Sequence, residues 1–142
     1  MLHWIAEYGK RHVPFVLAML DIDHFKRIND TLGHPVGDRV LICAAQWLTS
    51  NVRGEDFLAR YGGEEFAVLL CDVRLKQAES KFATFLERVA ESSYQYDEGG
   101  EKRVTQFTFS CGLAEYSSAD SAESLISRAD EALYQAKGNG KN

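Results

Sequence analysis

The chain has 142 residues, 45% hydrophobic and 26% charged, which is the size and composition of one globular domain with a continuous core. Its 16 basic and 21 acidic residues give a formal charge of -5 without a basic cluster, which argues against a nucleic-acid partner. No apolar run approaches the roughly 20 residues needed to cross a bilayer, so no membrane contact by this domain is expected. The three cysteines are widely spaced, which favours core thiols in a reducing compartment over a disulfide framework or a zinc site.

The first part of the chain predicts a strand followed by two helical segments. Residues 13–20 (VPFVLAML) are apolar on both alternating faces, which is typical of a central strand covered on both sides. This strand ends in the acidic pair Asp21 and Asp23, and the next stretch, HFKRINDTLGHPVGD, predicts a short helix or turn. A longer helix follows, with these apolar residues at helical spacing: Val36, Val40, Leu41, Ala44, Leu48 and Val52.

The middle of the chain predicts a β-hairpin. FLARY and EEFAVLL are strand-like and flank Gly62 and Gly63, a pair suited to a two-residue turn at positive φ. Such a turn joins only antiparallel neighbours. An amphipathic helix follows, marked by these apolar residues: Ala78, Phe82, Phe85, Leu86 and Val89.

The last part of the chain predicts a strand and a helix. Gly99 and Gly100 separate YQYDEGG from the strand VTQFTFSCGLAEY, and Asp120 with Glu123 predicts a capping box that opens the last helix. The element order is βααββα(β)βα, which indicates an α/β (α+β) sandwich with an antiparallel hairpin in its sheet. Neither G-x-G-x-x-G after the first strand nor G-x-x-x-x-G-K-[ST] occurs, so the usual nucleotide-binding loops are missing.

Two carboxylates beside the glycine turn raise the question of a cation site. Successive strand residues point to opposite faces, so one of Glu64 and Glu65 is expected on each face. If the first strand lies beside the hairpin, Asp21 and one glutamate converge at one end of the sheet. Such an oxygen cluster suits a hard divalent cation, most commonly Mg²⁺ shared with substrate phosphates. The pair alone leaves a solvated acidic turn open as the other interpretation.

Four ordered blocks resemble the GGDEF family of diguanylate cyclases. They are LDIDHFKRINDTLGHPVGD at 20–38, RYGGEEF at 60–66, FSCGLA at 109–114 and RADEALYQAKGNGKN at 128–142, with GGEEF as a common active form of the signature. The resemblance implies a palm-like domain whose central mixed, mostly antiparallel sheet is flanked by helices, related to class III nucleotide cyclases and polymerase palms. It also implies condensation of two GTP molecules into cyclic di-GMP with release of two pyrophosphates.

The resemblance further implies roles for Asp21, Glu64 and the residues near them. The side chains of Asp21 and Glu64, with the Ile22 carbonyl, are expected to bind Mg²⁺, for which Mn²⁺ can substitute. Glu64 is also expected to accept the proton of the 3′-hydroxyl group, and Glu65 to support this site less directly. Lys26 corresponds to a lysine that stabilises the transition state.

The implied substrate contacts lie in three of the four blocks. By this resemblance Asn29 and Asp38 correspond to the family's guanine contacts. A carboxylate that accepts from guanine N1 and N2 would find no matching donors on adenine, which would favour GTP over ATP. His34 is either a turn histidine or a further substrate contact. The other expected contacts are the open backbone of Gly62 and Gly63 and two phosphate-binding lysines near the C-terminus, Lys137 and Lys141, for which capping of the helix dipole is the alternative.

An R-x-x-D motif, Arg53 to Asp56, lies just before the hairpin. It resembles the family's product-inhibition site, where an arginine binds phosphate or a guanine edge in a forked geometry. A complete site in the family takes a further arginine from the following helix or a neighbouring domain. Arg88 lies in that helix but not at the aligned position, which leaves complete inhibition by cyclic di-GMP open.

The resemblance also implies how the domain is organised. Residues 1–142 are expected to form a single GGDEF domain that lacks the family's extreme N-terminal segment and any sensory domain, in a cytoplasmic protein that a preceding region can tether to a membrane. The expected partners are GTP, cyclic di-GMP and a second copy in a transient homodimer. Two alternatives are a catalytically silent module that binds GTP or cyclic di-GMP, and a structural partner-binding domain whose acidic hairpin is only a solvated edge.

Overall fold

The computed structural model describes residues 1–139. Its helices are α1 (Leu2–Gly9), α2 (Phe25–Leu32), α3 (His34–Thr49), α4 (Leu75–Glu91) and α5 (Ala122–Gly138). Its strands are β1 (Phe15–Ile22), β2 (Phe57–Arg60), β3 (Glu65–Cys71), β4 (Tyr94–Glu98), β5 (Glu101–Thr105) and β6 (Phe109–Glu115). Within this part of the chain, no helix combines the length and apolar composition that crossing a membrane requires.

A four-stranded sheet in the order β2-β3-β1-β6 forms the centre of the domain, and every pairing within it is antiparallel. All eight residues of β1 are buried, because helices cover both faces of the sheet. One face packs against α3 and α4, and the other packs against α1 and α5. This arrangement confirms the predicted sandwich and its central first strand.

Gly112 in β6 lets α5 lie unusually close to the sheet. A Cβ atom at this position would meet two backbone atoms of α5, Leu133 N at 2.2 Å and Ala129 O at 2.3 Å. Neither atom can move without shifting the helix, so only glycine fits. The close packing holds the C-terminal half of α5 against the strand next to β1.

The predicted hairpin is confirmed, but its turn differs from the prediction. β2 and β3 pair antiparallel, and Tyr61 to Glu64 connect them, with the Tyr61 N–H donating to the Glu65 carbonyl at 2.8 Å. The connection therefore has four residues rather than two, and neither Gly62 nor Gly63 adopts positive φ. Longer hairpin loops can close without the left-handed conformations that a two-residue turn requires.

A second hairpin divides the strand that the sequence predicts over 104–116. Gly99 and Gly100 have φ of 58° and 84° and turn β4 into β5, so residues 101–105 pair with β4. Residues 109–115 pair with β1 in the main sheet. The prediction of one strand was wrong because continuous β-type composition does not reveal where a strand changes its partner.

Two predictions at helix starts were also wrong. The element order omitted α1, although Ile5 and Tyr8 are buried one helical turn apart. The cap of α5 lies one residue later than predicted: Ser121 and Ser124 exchange the capping-box hydrogen bonds, rather than Asp120 and Glu123. The Asp120 carboxylate instead accepts from the Ser117 N–H at 2.9 Å and the Ser124 hydroxyl at 2.9 Å.

Candidate active site

The end of β1 and the start of β3 bring the expected acidic residues together. Asp21 lies directly opposite Glu65 in the antiparallel register, and the Ile22 N–H donates to the Glu64 carbonyl at 3.3 Å. Asp21 follows Met19 on the face that α5 covers, and Glu65 precedes Ala67 on the same face. The predicted adjacency of the first strand and the acidic hairpin is therefore confirmed.

A cavity of about 260 Å³ opens at this point between the sheet and α5. The Lys137 ammonium group donates a hydrogen bond to Asp21 Oδ2 inside it. Asp21 Oδ1 is buried and has no hydrogen-bond partner among the described residues. The cavity is lined by Asp21, Glu65, Asp130, Leu133, Tyr134 and Lys137.

The cavity has an electrostatic bias toward cations. Burial raises the pKa of Glu65, and the negative charges of Asp21, Asp130 and Glu64 raise it further, while Lys137 opposes them. Burial also raises the pKa of Asp130. Carboxyl groups with raised pKa values gain from a nearby positive charge, because it stabilises their ionised form.

The oxygen atoms at this site fit a divalent cation that also binds a ligand. Asp21 Oδ1 has no hydrogen-bond partner in residues 1–139, and Ile22 and Glu64 are the chain neighbours of the paired residues Asp21 and Glu65, although neither lines the cavity. Residues 1–139 contain no group of three or more His, Cys, Asp or Glu side chains arranged to hold a metal ion alone. Mg²⁺ commonly uses one or two carboxylates and takes its other oxygen ligands from water and substrate phosphates.

Sequence reasoning missed the structural role of Asp23. This residue is 3% exposed, and its carboxylate accepts from the Thr108 and Ser110 hydroxyl groups at 2.6 Å each. Its N–H also donates to the Thr108 carbonyl at 2.8 Å. Asp23 thus ties the chain after β1 to the start of β6. Of the two residues Asp21 and Asp23, only Asp21 lines the cavity.

Arg60 braces the glycine loop of the hairpin, a role that the sequence did not indicate. The Arg60 guanidinium donates to the Gly63 carbonyl at 2.6 Å and to the Gly62 carbonyl at 3.2 Å. A Cβ atom at Gly63 would meet nothing within 4 Å. The loop backbone is therefore exposed and braced, as close approach of a ligand requires.

The expected guanine contacts lie on α2 and α3. Asn29 Oδ1 packs so closely on α3 that a Cβ atom at Gly37 would lie 1.7 Å from it, which brings the amide beside the residue preceding Asp38. Asp38, Lys26 and His34 are all exposed. These residues stand on elements separate from the acidic cavity, and Lys141 lies outside the described residues.

The R-x-x-D motif is tied into the fold. The Asp56 side chain is fully buried and accepts from the Cys71 N–H at 2.9 Å and from the Arg53 N–H at 2.9 Å. Arg53 Nη2 donates to the Cys71 carbonyl at 2.8 Å, and half of the Arg53 side chain remains exposed. The motif is therefore bonded to the end of β3, and of its two defining side chains only that of the arginine is exposed to solvent. Arg88 stacks over Trp47 instead, with its guanidinium 5.8 Å from the ring centroid.

Comparison with known proteins identifies the class to which this fold and site belong. The sequence model "Diguanylate cyclase, GGDEF domain" matches residues 3–142. Diguanylate cyclase A of Treponema denticola is 41% identical over 99% of this chain and 37% of that protein, and response regulator PleD of Caulobacter vibrioides is 42% identical over 91% and 28%. This chain belongs to the GGDEF family of diguanylate cyclases. It spans about a third of the length of these relatives.

Solved structures confirm the palm-like fold. The GGDEF domain of DgcB from Caulobacter crescentus, in complex with c-di-GMP, superposes with a TM-score of 0.89 at 34% identity, covering 99% of this chain and 81% of that one. The active GGEEF domain of a diguanylate cyclase from Vibrio cholerae gives 0.80 at 31% identity, with 96% and 84% covered. Both the family and the fold expected from the four sequence blocks are therefore confirmed.

Proposed function

We propose that this domain is a diguanylate cyclase that condenses two GTP molecules into cyclic di-GMP across a transient homodimer, with a divalent cation as cofactor. In each half-reaction the 3′-oxygen of one GTP bonds to the α-phosphorus of the other, pyrophosphate leaves, and the hydroxyl proton passes to a base. The observation that carries the proposal is the pairing of Asp21 with the GGEEF strand, which leaves a buried Asp21 oxygen without a hydrogen-bond partner in the described part of the chain.

The residues around this oxygen divide the chemistry. Asp21, Glu64 and the Ile22 carbonyl would hold Mg²⁺ or Mn²⁺, which when bound offsets the charge that develops on the phosphates. Glu64 accepts the 3′-hydroxyl proton, and this residue is partly exposed next to the glycine loop. Glu65 lies at the mouth of the same cavity and tunes its charge.

Cationic side chains complete the proposed phosphate site. Lys137, and with it Lys141, binds the phosphates, and Lys26 on α2 stabilises the transition state. Lys137 already lies in the cavity, and Lys26 is exposed near the end of β1. Positive charge near a transferring phosphoryl group stabilises the charge on its equatorial oxygens.

Base recognition is proposed for Asn29 and Asp38, with His34 at the rim. Replacing Asp38 by Ala should weaken GTP binding by about 1 to 3 kcal/mol and narrow the preference for GTP over ATP, because the guanine donors lose their acceptor. Isothermal titration with both nucleotides measures the two affinities. Asp97→Ala, an exposed Asp on β4, serves as the matched control. Equal GTP affinity in wild type and Asp38→Ala would contradict this role.

Product binding is proposed at the exposed face of Arg53. A related GGDEF domain has been solved in complex with c-di-GMP, which supports binding of the product by this family. Half of the Arg53 side chain is exposed, although its guanidinium contacts Glu55, Asp56 and the Cys71 carbonyl, whereas the Asp56 side chain is buried. We therefore infer that the arginine contacts the ligand and that Asp56 positions the loop.

Incubation of the purified domain with GTP and Mg²⁺, followed by chromatography of the nucleotides, tests the proposed function. The expected products are cyclic di-GMP and pyrophosphate, and both should disappear when EDTA removes the cation. GTP binding without turnover would support the silent regulatory module instead. Absence of both binding and turnover would leave only the structural, partner-binding alternative.

A further inference from the structure

Lys137 occupies the position of a cation beside Asp21. The Asp21 residue is 5% exposed, and the Lys137 ammonium group is its only ion-pair partner in residues 1–139. A carboxylate buried to this extent requires a compensating positive charge. The lysine supplies that charge from the last turn of α5, while its side chain keeps 31% of its surface exposed.

The charges that the described residues bring to the cavity are not balanced. Three carboxyl groups, those of Asp21, Glu65 and Asp130, line it together with one ammonium group, that of Lys137. Within residues 1–139, Asp21 Oδ1 has no hydrogen-bond partner, although Oδ2 accepts from the lysine. One oxygen of the buried Asp21 carboxylate therefore has a hydrogen-bond partner, and the other has none among the described residues.

We propose that Lys137 is a placeholder that neutralises Asp21 in the nucleotide-free domain and leaves it when a divalent cation arrives with a triphosphate. This inference rests on the proposed function, because it takes a metal–nucleotide complex as the ligand of the cavity. A lysine ammonium group on a flexible four-carbon stem can change partners without movement of the helix. The phosphates that accompany the cation offer this ammonium group a new anionic partner within reach of the same cavity.

The exchange has a thermodynamic consequence for the order of binding. A free cation has to displace Lys137 without giving it another anion, whereas a cation carried by a triphosphate provides one. Cation and nucleotide therefore strengthen each other's binding, and the coupling is reciprocal. The lysine suppresses occupation of the site by metal alone and promotes occupation by metal with nucleotide.

Mn²⁺ binding to the nucleotide-free domain, followed by the electron paramagnetic resonance signal of free Mn²⁺, tests the placeholder. Lys137→Met removes the charge and keeps the stem, so its Mn²⁺ affinity should be about tenfold higher than that of wild type. Lys137→Arg retains the charge and should stay close to wild type. Lys102→Met, which changes an exposed lysine on β5, should also match wild type.

A second titration measures the other half of the exchange. Mg²⁺ with 3′-deoxy-GTP, which cannot form the new bond, should bind about tenfold more weakly to Lys137→Met than to wild type, because the phosphates lose their ammonium partner. Mn²⁺ affinity of Lys137→Met equal to or below that of wild type would overturn the proposal. So would unchanged affinity for the metal–nucleotide complex.

If Lys137→Met does not fold, as judged by circular dichroism, the change of partner by Lys137 can be tested in the wild-type protein. The Lys137 ammonium resonance in ¹⁵N-lysine-labelled domain, identified by its loss in Lys137→Arg, should shift when Mg²⁺ and 3′-deoxy-GTP are added together. No shift at saturation would overturn the proposal. These experiments involve no turnover, so a domain that binds metal and nucleotide as described but makes no cyclic di-GMP would refute the proposed function alone.

Discussion

Replacement of Glu64 by Gln is expected to lower the rate of cyclic di-GMP formation by at least about a hundredfold while leaving the fold intact. The amide keeps the size of the side chain but removes both the negative charge toward the cation and the acceptor for the 3′-hydroxyl proton. The fold should tolerate the change, because the bond between the Ile22 N–H and Glu64 uses the backbone carbonyl. Initial rates with GTP and Mg²⁺ measure the loss.

The control for this experiment is Glu79→Gln, which makes the same chemical change at an exposed position of α4. It should retain the wild-type rate, and urea unfolding of both variants should give midpoints close to that of wild type. A Glu64→Gln rate within a few-fold of wild type would show that another group accepts the proton. A lowered unfolding midpoint would instead assign the loss of activity to the fold.

The part of the site that the sequence predicts is the part made by neighbouring strands. Asp21 and Glu65 meet because an apolar strand and a glycine-turned hairpin both belong in the centre of one sheet, which their composition already indicates. Strand alternation predicts that Glu64 and Glu65 lie on opposite faces, and only the register shows that Glu65 shares the face of Asp21. Pattern and pairing rules thus predict the acidic centre, and the register assigns its glutamate.

The rest of the site depends on how distant elements pack. Asp130 reaches the cavity because Gly112 allows α5 to approach β6, and no local pattern shows that approach. Asp130 and Lys137 are seven residues apart on one helical face, a spacing that could have indicated a shared site. The hydroxyl partners of Asp23 lie more than 80 residues away along the chain, so its structural role is invisible before β6 is positioned.

At the R-x-x-D motif, the roles that the family resemblance implies differ from the contacts that the structure shows. The resemblance implies a pair of ligand contacts, whereas the structure commits Asp56 to backbone hydrogen bonds with Cys71 and leaves Arg53 half-exposed. One motif can therefore hold the end of β3 in place and still offer a guanidinium group to a ligand. The sequence alone does not show that Asp56 bonds to β3 while Arg53 remains half-exposed.

Dependence of specific activity on enzyme concentration is the expected sign of the proposed homodimer. Cyclic di-GMP is two-fold symmetric and each domain has one proposed GTP site, so two like surfaces have to meet. Each domain carries a formal charge of -5, which opposes the encounter. A mostly monomeric enzyme should therefore lose about tenfold in specific activity for each tenfold dilution.

Fusion of a dimerising coiled coil to the N-terminus should remove this dependence. The start of α1 is well placed for it, because Met1 and Leu2 border a groove of about 900 Å³ that shares Asp130 and Tyr134 with the acidic cavity. A helix that continues α1 would hold two cavities near each other and raise their effective concentration, with about a hundredfold gain in specific activity at nanomolar enzyme. The same fusion carrying Glu64→Gln should stay inactive. Specific activity that does not change on dilution, from a domain that sediments as a monomer, would rule out reaction between two copies.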